Sequence, residues 1–287
     1  MTTPMTTMLR AAIMLFAALS GAACWGEGAL ALRDRYAALQ PALAASPFGR
    51  PLLLQAGSSS TRAQGDVYAL VDHPFTRVAP ALQGPAHWCQ MLMLQFNIKR
   101  CAPGGQPPHE SLELAVGRKA DQPVKDAFAL RFVYSVLAAQ PDYLSVQMSA
   151  GEGPLGTRDY RLTLQAVPVD TGHSFIHLSY AYTNGLAARL ATDAYLATFG
   201  RRKVGFSIVG RDPSGEPIYV TGIQGVAERN AMRYFLAVDA HLDALSVPRE
   251  RQTDKRLREW FAETERYPLQ LHEMDLDDYL ALKRREM

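Results

Sequence analysis

The sequence predicts an α+β fold, with a run of antiparallel strands followed by a mostly helical last third. Three observations carry this. Between residues 111 and 182, apolar and polar residues alternate with period two over successive segments separated by turn signals. From residue 226 onward, apolar residues recur at helical spacing among charges. The composition, 48% hydrophobic and 20% charged with a net charge of +2 over 287 residues, belongs to a chain with a core. It excludes a disordered chain and a nucleic-acid binder working by bulk positive charge.

Residues 1–31 read as a secretory signal peptide. Arg10 is the only charge before Glu27, residues 11–19 (AAIMLFAAL) are apolar, and Ser20, Gly21, Ala22 and Ala23 are small. The apolar run is too short for a spanning helix, which takes ~20 residues. Cleavage after Ala23 and cleavage after Ala31 both suit the pattern. Cys24 stands where a lipidated cysteine would, but Gly21 occupies the position that normally carries a large aliphatic residue. The expected location is therefore periplasmic or secreted, with lipid anchoring at Cys24 the lesser reading. Without Cys24, the remaining pair Cys89 and Cys101 predicts a disulfide in an oxidising compartment. On one extended strand they would lie roughly 40 Å apart at ~3.3 Å per residue, and a bridge needs Cα atoms within ~7 Å. A short helix near residues 88–93, turning into a strand over 96–99, meets that condition; two buried free thiols are the other reading.

Residues 28–45 are rich in Ala and Leu, with Arg33, Asp34 and Arg35 on a polar side, and read as a helix ending before Ser46-Pro47. Residues 57–61 (GSSST) are a loop and 66–71 a short strand. Asp72 is placed to cap a helix carrying Phe75, Val78, Ala79 and Leu82, which Gly84-Pro85 ends. Strands follow at 111–116, 127–137, 143–150, 159–167 and 174–182, connected as a meander. The 127–137 strand puts Phe128, Leu130, Phe132, Tyr134 and Val136 on one face. Beyond them come a helix over 186–199, a hairpin of 204–209 with 218–223 around Asp212-Pro213-Ser214-Gly215, a long helix over 226–245, and two charged helices at 254–264 and 277–285.

No catalytic constellation emerges. His73, His87, His109, His173, His177, His241 and His272 include no pair at metal-helix spacing, and His272-Glu273 lacks a second histidine four residues on. No nucleophile elbow, phosphate loop or dinucleotide fingerprint is present. Asp275, Asp277 and Asp278 lack the glycine and spacing of a calcium loop, and suit a helix N-terminus instead. No catalytic residue, metal ligand or cofactor is assigned.

Two features point to binding. Arg229 and Arg233 are one helical turn apart and face the same way, so an anion is expected opposite them. That anion is either an acidic ligand or a carboxylate in an ion-pair network with Glu228, Asp239 or a strand residue. Lys99 and Arg131 interrupt apolar strands and admit the same two readings. Tyr134, Tyr160, Tyr180 and Tyr182 lie on apolar strand faces, where their hydroxyls need partners; such a face lines either a ligand cavity or a closed core. His177 falls on the polar side of its strand. The candidate ligand-contacting set is Phe132, Tyr134, Val146, Met148, Leu162, Tyr180, Tyr182, Arg229 and Arg233.

The segment GDVYALVDHPFTRVAPALQGPAHW (residues 65–88), the strands exemplified by GPLGTRDYRLTLQAVPV (153–169) and the long late helix resemble the START-like helix-grip superfamily of polyketide cyclases and lipid-transfer proteins. The likeness covers residues 65–245 and is one of layout. It implies a curved antiparallel sheet gripping a long C-terminal helix, here 226–245, within a single domain over 32–287 that ends in a helical C-terminal extension (246–287). The stretch 186–223 and the tail depart from the family layout. The resemblance implies a non-catalytic binding or transfer protein for a lipid or other hydrophobic small molecule, with no nucleic-acid partner. It allows peripheral membrane contact and leaves the oligomeric state unassigned. An enzyme on the same scaffold, cyclase- or hydrolase-like, is one alternative. A structural envelope protein docking partners through its charged C-terminal helices is the other.

Overall fold

A computed structural model describes residues 20–59, 61–185 and 203–287. The helix expected over 186–199 lies outside the described residues, as do most of the apolar leader and the side chain of Cys24. The chain begins with α1 (Ser20–Ala44), then the hairpin β1 (Leu52–Ser58) and β2 (Arg62–Val71), and the helices α2 (Phe75–Leu82) and α3 (Pro85–Leu92). The strands β3 (Ile98–Gln106), β4 (His109–Val116), β5 (Phe128–Gln140), β6 (Tyr143–Glu152), β7 (Thr157–Pro168) and β8 (Ser174–Asn184) come next. A small hairpin, β9 (Ile208–Arg211) and β10 (Pro217–Tyr219), precedes α4 (Gly222–Ala244), α5 (Arg249–Glu265), α6 (Pro268–Leu271) and α7 (Leu276–Glu286).

The main sheet is eight-stranded in the order β1-β2-β8-β7-β6-β5-β4-β3, and every neighbouring pair is antiparallel. The expected meander runs from β4 to β8; β3 extends it at one edge, and β8 pairs with β2. The curved sheet holds α4 against its inner face, the helix-grip arrangement that the resemblance implies. β1 and most of β3 were not expected. β1 reads LLLQAGS, without alternation, and β3 contains Pro103, Gly104 and Gly105, residues depleted in strands. Both are edge strands, where a missing N–H is tolerated.

The sheet is covered on both faces over part of its width, which simple alternation did not anticipate. Ala29, Leu32, Leu39 and Leu43 of α1 pack on the outer face against Tyr68, Tyr143, Val167 and Phe175. On β5 the inward set is shorter than expected. Leu130 and Tyr134 are buried, whereas Phe128 (41%) and Val136 (43%) are exposed. The β5–β6 register shifts between Val136 and Ala138, so the alternation does not survive to the strand end.

Cys89 of α3 and Cys101 of β3 form a disulfide with a Cα–Cα distance of 5.3 Å. Closing so short a loop stabilises the fold by on the order of 3 kcal/mol. Asp72 does not cap α2: the helix starts at Phe75, and Pro74 holds the N-cap position without a side-chain hydrogen bond. The small hairpin is tighter than expected. Asp212 accepts from the Ser214 and Glu216 N–H groups at its turn. Glu228 of α4 takes the Phe206 and Ser207 N–H groups, which keeps residues 204–207 out of the strand.

The C-terminal helices are built into the core. Leu257, Trp260, Leu271, Tyr279 and Leu280 join the main buried cluster, and the Tyr279 hydroxyl donates to the Leu94 carbonyl at 2.9 Å. Two buried lysines, Lys99 and Lys283, share Glu286, each at 2.8 Å. Arg131 instead forms an exposed pair with Glu113 at 3.1 Å. Leu269 and Met287 are the large exposed apolar residues of this tail. Among the described residues, no helix is long and apolar enough to cross a membrane.

Where α3, α4 and α5 meet, His87 and His241 lie edge to face at 5.3 Å. His241 is fully buried. Burial, then Arg256 and His87, push its pKa down to about 3. The folded state therefore keeps His241 neutral while the unfolded chain, near pH 6.5, takes up a proton. The resulting stability is complete above that pH and is lost as pH falls toward the folded value. Urea unfolding is expected to show the wild-type protein about 2 kcal/mol less stable at pH 5 than at pH 7 relative to His241→Leu; equal pH dependence in the two proteins would contradict this.

Candidate functional site

The cavity exists because of where α4 touches the sheet. α4 packs against β1, β2 and β8. At the β2 contact, a Cβ on Gly65 would come within 2.8 Å of both the Ala227 carbonyl oxygen and the Ala231 Cβ. Only a residue without a side chain admits that approach. The helix is thereby seated toward one side of the sheet, and a cavity of about 240 Å³ remains over the strands on the other. Leu114, Leu130, Phe132, Met148 and Leu162 line it from β4 to β7, and Asn230, Arg233 and Tyr234 line it from α4. Pro154 and Leu155, from the β6–β7 connection, also line it, and Leu155 is 70% exposed.

Tyr160, Tyr180, Tyr182 and Tyr234 form one aromatic cluster on the cavity wall. Ring centroids are 5.4 Å apart for Tyr160–Tyr182, 5.6 Å for Tyr180–Tyr182 and 5.0 Å for Tyr180–Tyr234. Tyr160 donates to Thr157 Oγ1 at 2.7 Å; Asn230 stands beside the Tyr180 hydroxyl, Asn184 beside that of Tyr182, and Tyr180 beside that of Tyr234. Burial pushes all four phenols up, Tyr182 to about 12. Phenols so held stay neutral at ordinary pH and act as hydrogen-bonding groups, not as bases. The Asn184 side-chain nitrogen, buried at the cavity wall, has no hydrogen-bond partner among the described residues.

A cationic cluster forms one end of the cavity. Lys119, in the loop between β4 and β5, meets Glu273 Oε1 at 2.6 Å, and Arg233 meets the same oxygen at 2.6 Å. Lys203 lies 3.9 Å from Glu273 Oε2. Burial alone would raise the Glu273 carboxyl; Lys119, Arg233 and Lys203 outweigh it and hold the pKa low. Burial, followed by repulsion from Arg233, pushes the Lys119 ammonium down to about 8, against the pull of Glu273. Lys119 is hemmed in by protein yet keeps 39% of its side-chain surface accessible and lines the cavity.

Of the residues singled out from sequence, Phe132, Met148, Leu162, Tyr180, Tyr182 and Arg233 line the cavity. Tyr134, Val146 and Arg229 do not. Tyr134 is buried under the α2–α3 junction, where its hydroxyl accepts the Gly84 N–H at 2.8 Å; burial raises its pKa to about 12. Val146 lies in closed core, where α2 packs on β6 and β7. Arg229 donates to the Val204 carbonyl at 3.0 Å. The carboxylate facing Arg233 comes from Glu273, whereas Asp239 is held by Arg50 at 2.6 Å and Glu228 by backbone N–H groups. Sequence reading passed over Lys119, which sits in a charged loop that reads as solvated, and Glu273, which was weighed only as a failed metal motif.

His177 lies on the α1 side of the sheet. It bonds Asp66 at 2.8 Å and Gln165 at 3.2 Å, and stacks on Tyr68 at 4.2 Å. Arg229, Arg233 and His177 thus do not converge in the cavity. Among the described residues, no group of three or more His, Cys, Asp or Glu is placed to hold a metal ion.

No family model matches the chain, and no curated protein matches it. Solved structures overlap it partially. Norcoclaurine synthase from Thalictrum flavum is 14% identical over 66% of this chain and 90% of its own, with a TM-score of 0.37. The Zhui aromatase/cyclase from Streptomyces sp. R1128 is 11% identical over 71% and 94%, with a TM-score of 0.34. An Arthrobacter aurescens protein is 11% identical over 66% and 91%, with a TM-score of 0.31. These overlaps, all below 0.5, carry no argument; the strand order and the helix packed within the sheet define the fold.

Glu273 is the carboxylate common to Lys119, Arg233 and Lys203. Glu273→Gln is expected to cost about 3 kcal/mol of unfolding free energy in urea. Removing the exposed Arg131–Glu113 pair with Arg131→Ala should cost less than about 1 kcal/mol, and equal losses would show that the Glu273 cluster is solvated.

Proposed function

We propose that this chain is an exported, non-catalytic binding or transfer protein for a lipid or other hydrophobic small molecule held between the sheet and α4. The observation that carries the reading is the cavity of about 240 Å³, floored by apolar strand residues and walled by tyrosines. A few placed polar groups over an apolar floor are what small-molecule sites require. The neutral, partnered phenols and the position of His177 on the opposite face favour binding over catalysis.

Filling the cavity tests this. Leu162→Trp projects an indole into the space beside Met148 and Tyr160, at an overpacking cost of about 1–3 kcal/mol. Native mass spectrometry after gentle purification is expected to find a copurified hydrophobic molecule on the wild-type protein and none on the variant. Bare wild-type protein that also fails to bind added hydrophobic probes would refute the reading.

Export is supported by the apolar leader and by the Cys89–Cys101 bridge, which persists in oxidising compartments. The packing of α1 bears on the cleavage point. Ala29 and Leu32 are buried on the sheet, and a Cβ on Gly28 would meet the Tyr143 hydroxyl at 2.8 Å. Cleavage after Ala23 preserves that packing, whereas cleavage after Ala31 removes Gly28 and Ala29. N-terminal sequencing and intact mass of the exported protein are expected to give a start at or before Gly28; a start at Leu32 would contradict this.

A further inference from the structure

We infer that the cavity takes a small anionic amphiphile, a molecule with a carboxylate or similar anion at Lys119 and an apolar body on Leu114, Leu130 and Phe132. The inference rests on the binding reading above and adds the chemical class of the ligand. An ammonium carries three N–H donors, and Lys119 spends one on Glu273 at 2.6 Å. The others are available on the accessible part of a side chain that lines the cavity. Glu273 meets Lys119 with the oxygen it also gives to Arg233, so the Lys119 ammonium shares that carboxylate. An anion arriving there gains charge-assisted hydrogen bonds.

The rest of the cavity fixes the other half of the ligand. An inorganic anion would leave the apolar floor unfilled, and a neutral hydrocarbon would leave the Lys119 donors unmet. A cavity of about 240 Å³ suits a medium-chain acid or an aromatic acid.

Calorimetric titration of the full mature protein with octanoate and with 1-octanol, which share a chain and differ in the head, tests the assignment. Octanoate is expected to bind about tenfold more tightly than octanol, or better. Lys119→Met should remove that preference, with its circular dichroism and urea unfolding showing that the variant is folded, and Lys119→Arg should keep the preference. Equal affinity of the wild-type protein for both probes would overturn the anionic assignment and leave the hydrophobic-binding reading standing. A preference that survives Lys119→Met would likewise overturn it. Failure of both probes to bind would overturn the binding reading together with this inference.

Discussion

The close contact of Gly65 with Ala227 and Ala231 governs the interior of this protein. Three small residues let the α4 backbone come down onto β2. The helix is then committed to the β1–β2–β8 side, and tyrosines occupy the rest of the interface. Tyr160, Tyr180, Tyr182 and Tyr234 are too large to admit the same approach and too well bonded to rearrange easily. One side of the helix is solid core and the other is a roofed space. The asymmetry of residue size across a single helix–sheet interface is enough to produce it.

The polar groups around that space are ordered by burial. Phenols can be enclosed cheaply as long as each hydroxyl has a polar neighbour, and here Thr157, Asn184, Asn230 and the phenols themselves stand beside them. Cations cannot, and here the tail carboxylate Glu273 faces Lys119, Arg233 and Lys203. The C-terminal helices therefore do more than decorate the domain. They bring Glu273 to the cavity, anchor Lys99 through Glu286, and extend the core with Trp260 and Tyr279. The face away from the cavity is sealed separately, by α1 over Tyr68 and Phe175, with His177 absorbed into that layer through Asp66.

Much of this architecture was legible in the residues. Alternation located the strands from β4 to β8, since each has one face on a core, and Cys89 and Cys101 were paired on the condition that the chain turn between them, as α3 and β3 make it do. The edge strands escaped notice because LLLQAGS lacks a period and Pro103-Gly104-Gly105 argues against a strand unless it is known to be an edge. Val136 was placed inward because alternation assumes a constant register, and the β5–β6 pairing does not keep one; Phe128 opens its strand and is exposed there.

The sequence by itself determined the local periods, the order of elements, and the tyrosines and arginines that face the interior, because these depend on neighbours a few residues apart. Tertiary structure alone decided which of those inward positions meets open space and which meets another helix. Phe132 and Met148 came to line a cavity while Tyr134 and Val146 vanished beneath α2 and α3, a difference set by helices that approach from elsewhere in the chain. Tertiary structure also decided the charge partners. Lys119, Arg233 and Glu273 stand far apart along the polypeptide, and nothing in the composition of any one segment says that a buried carboxylate will be shared among them.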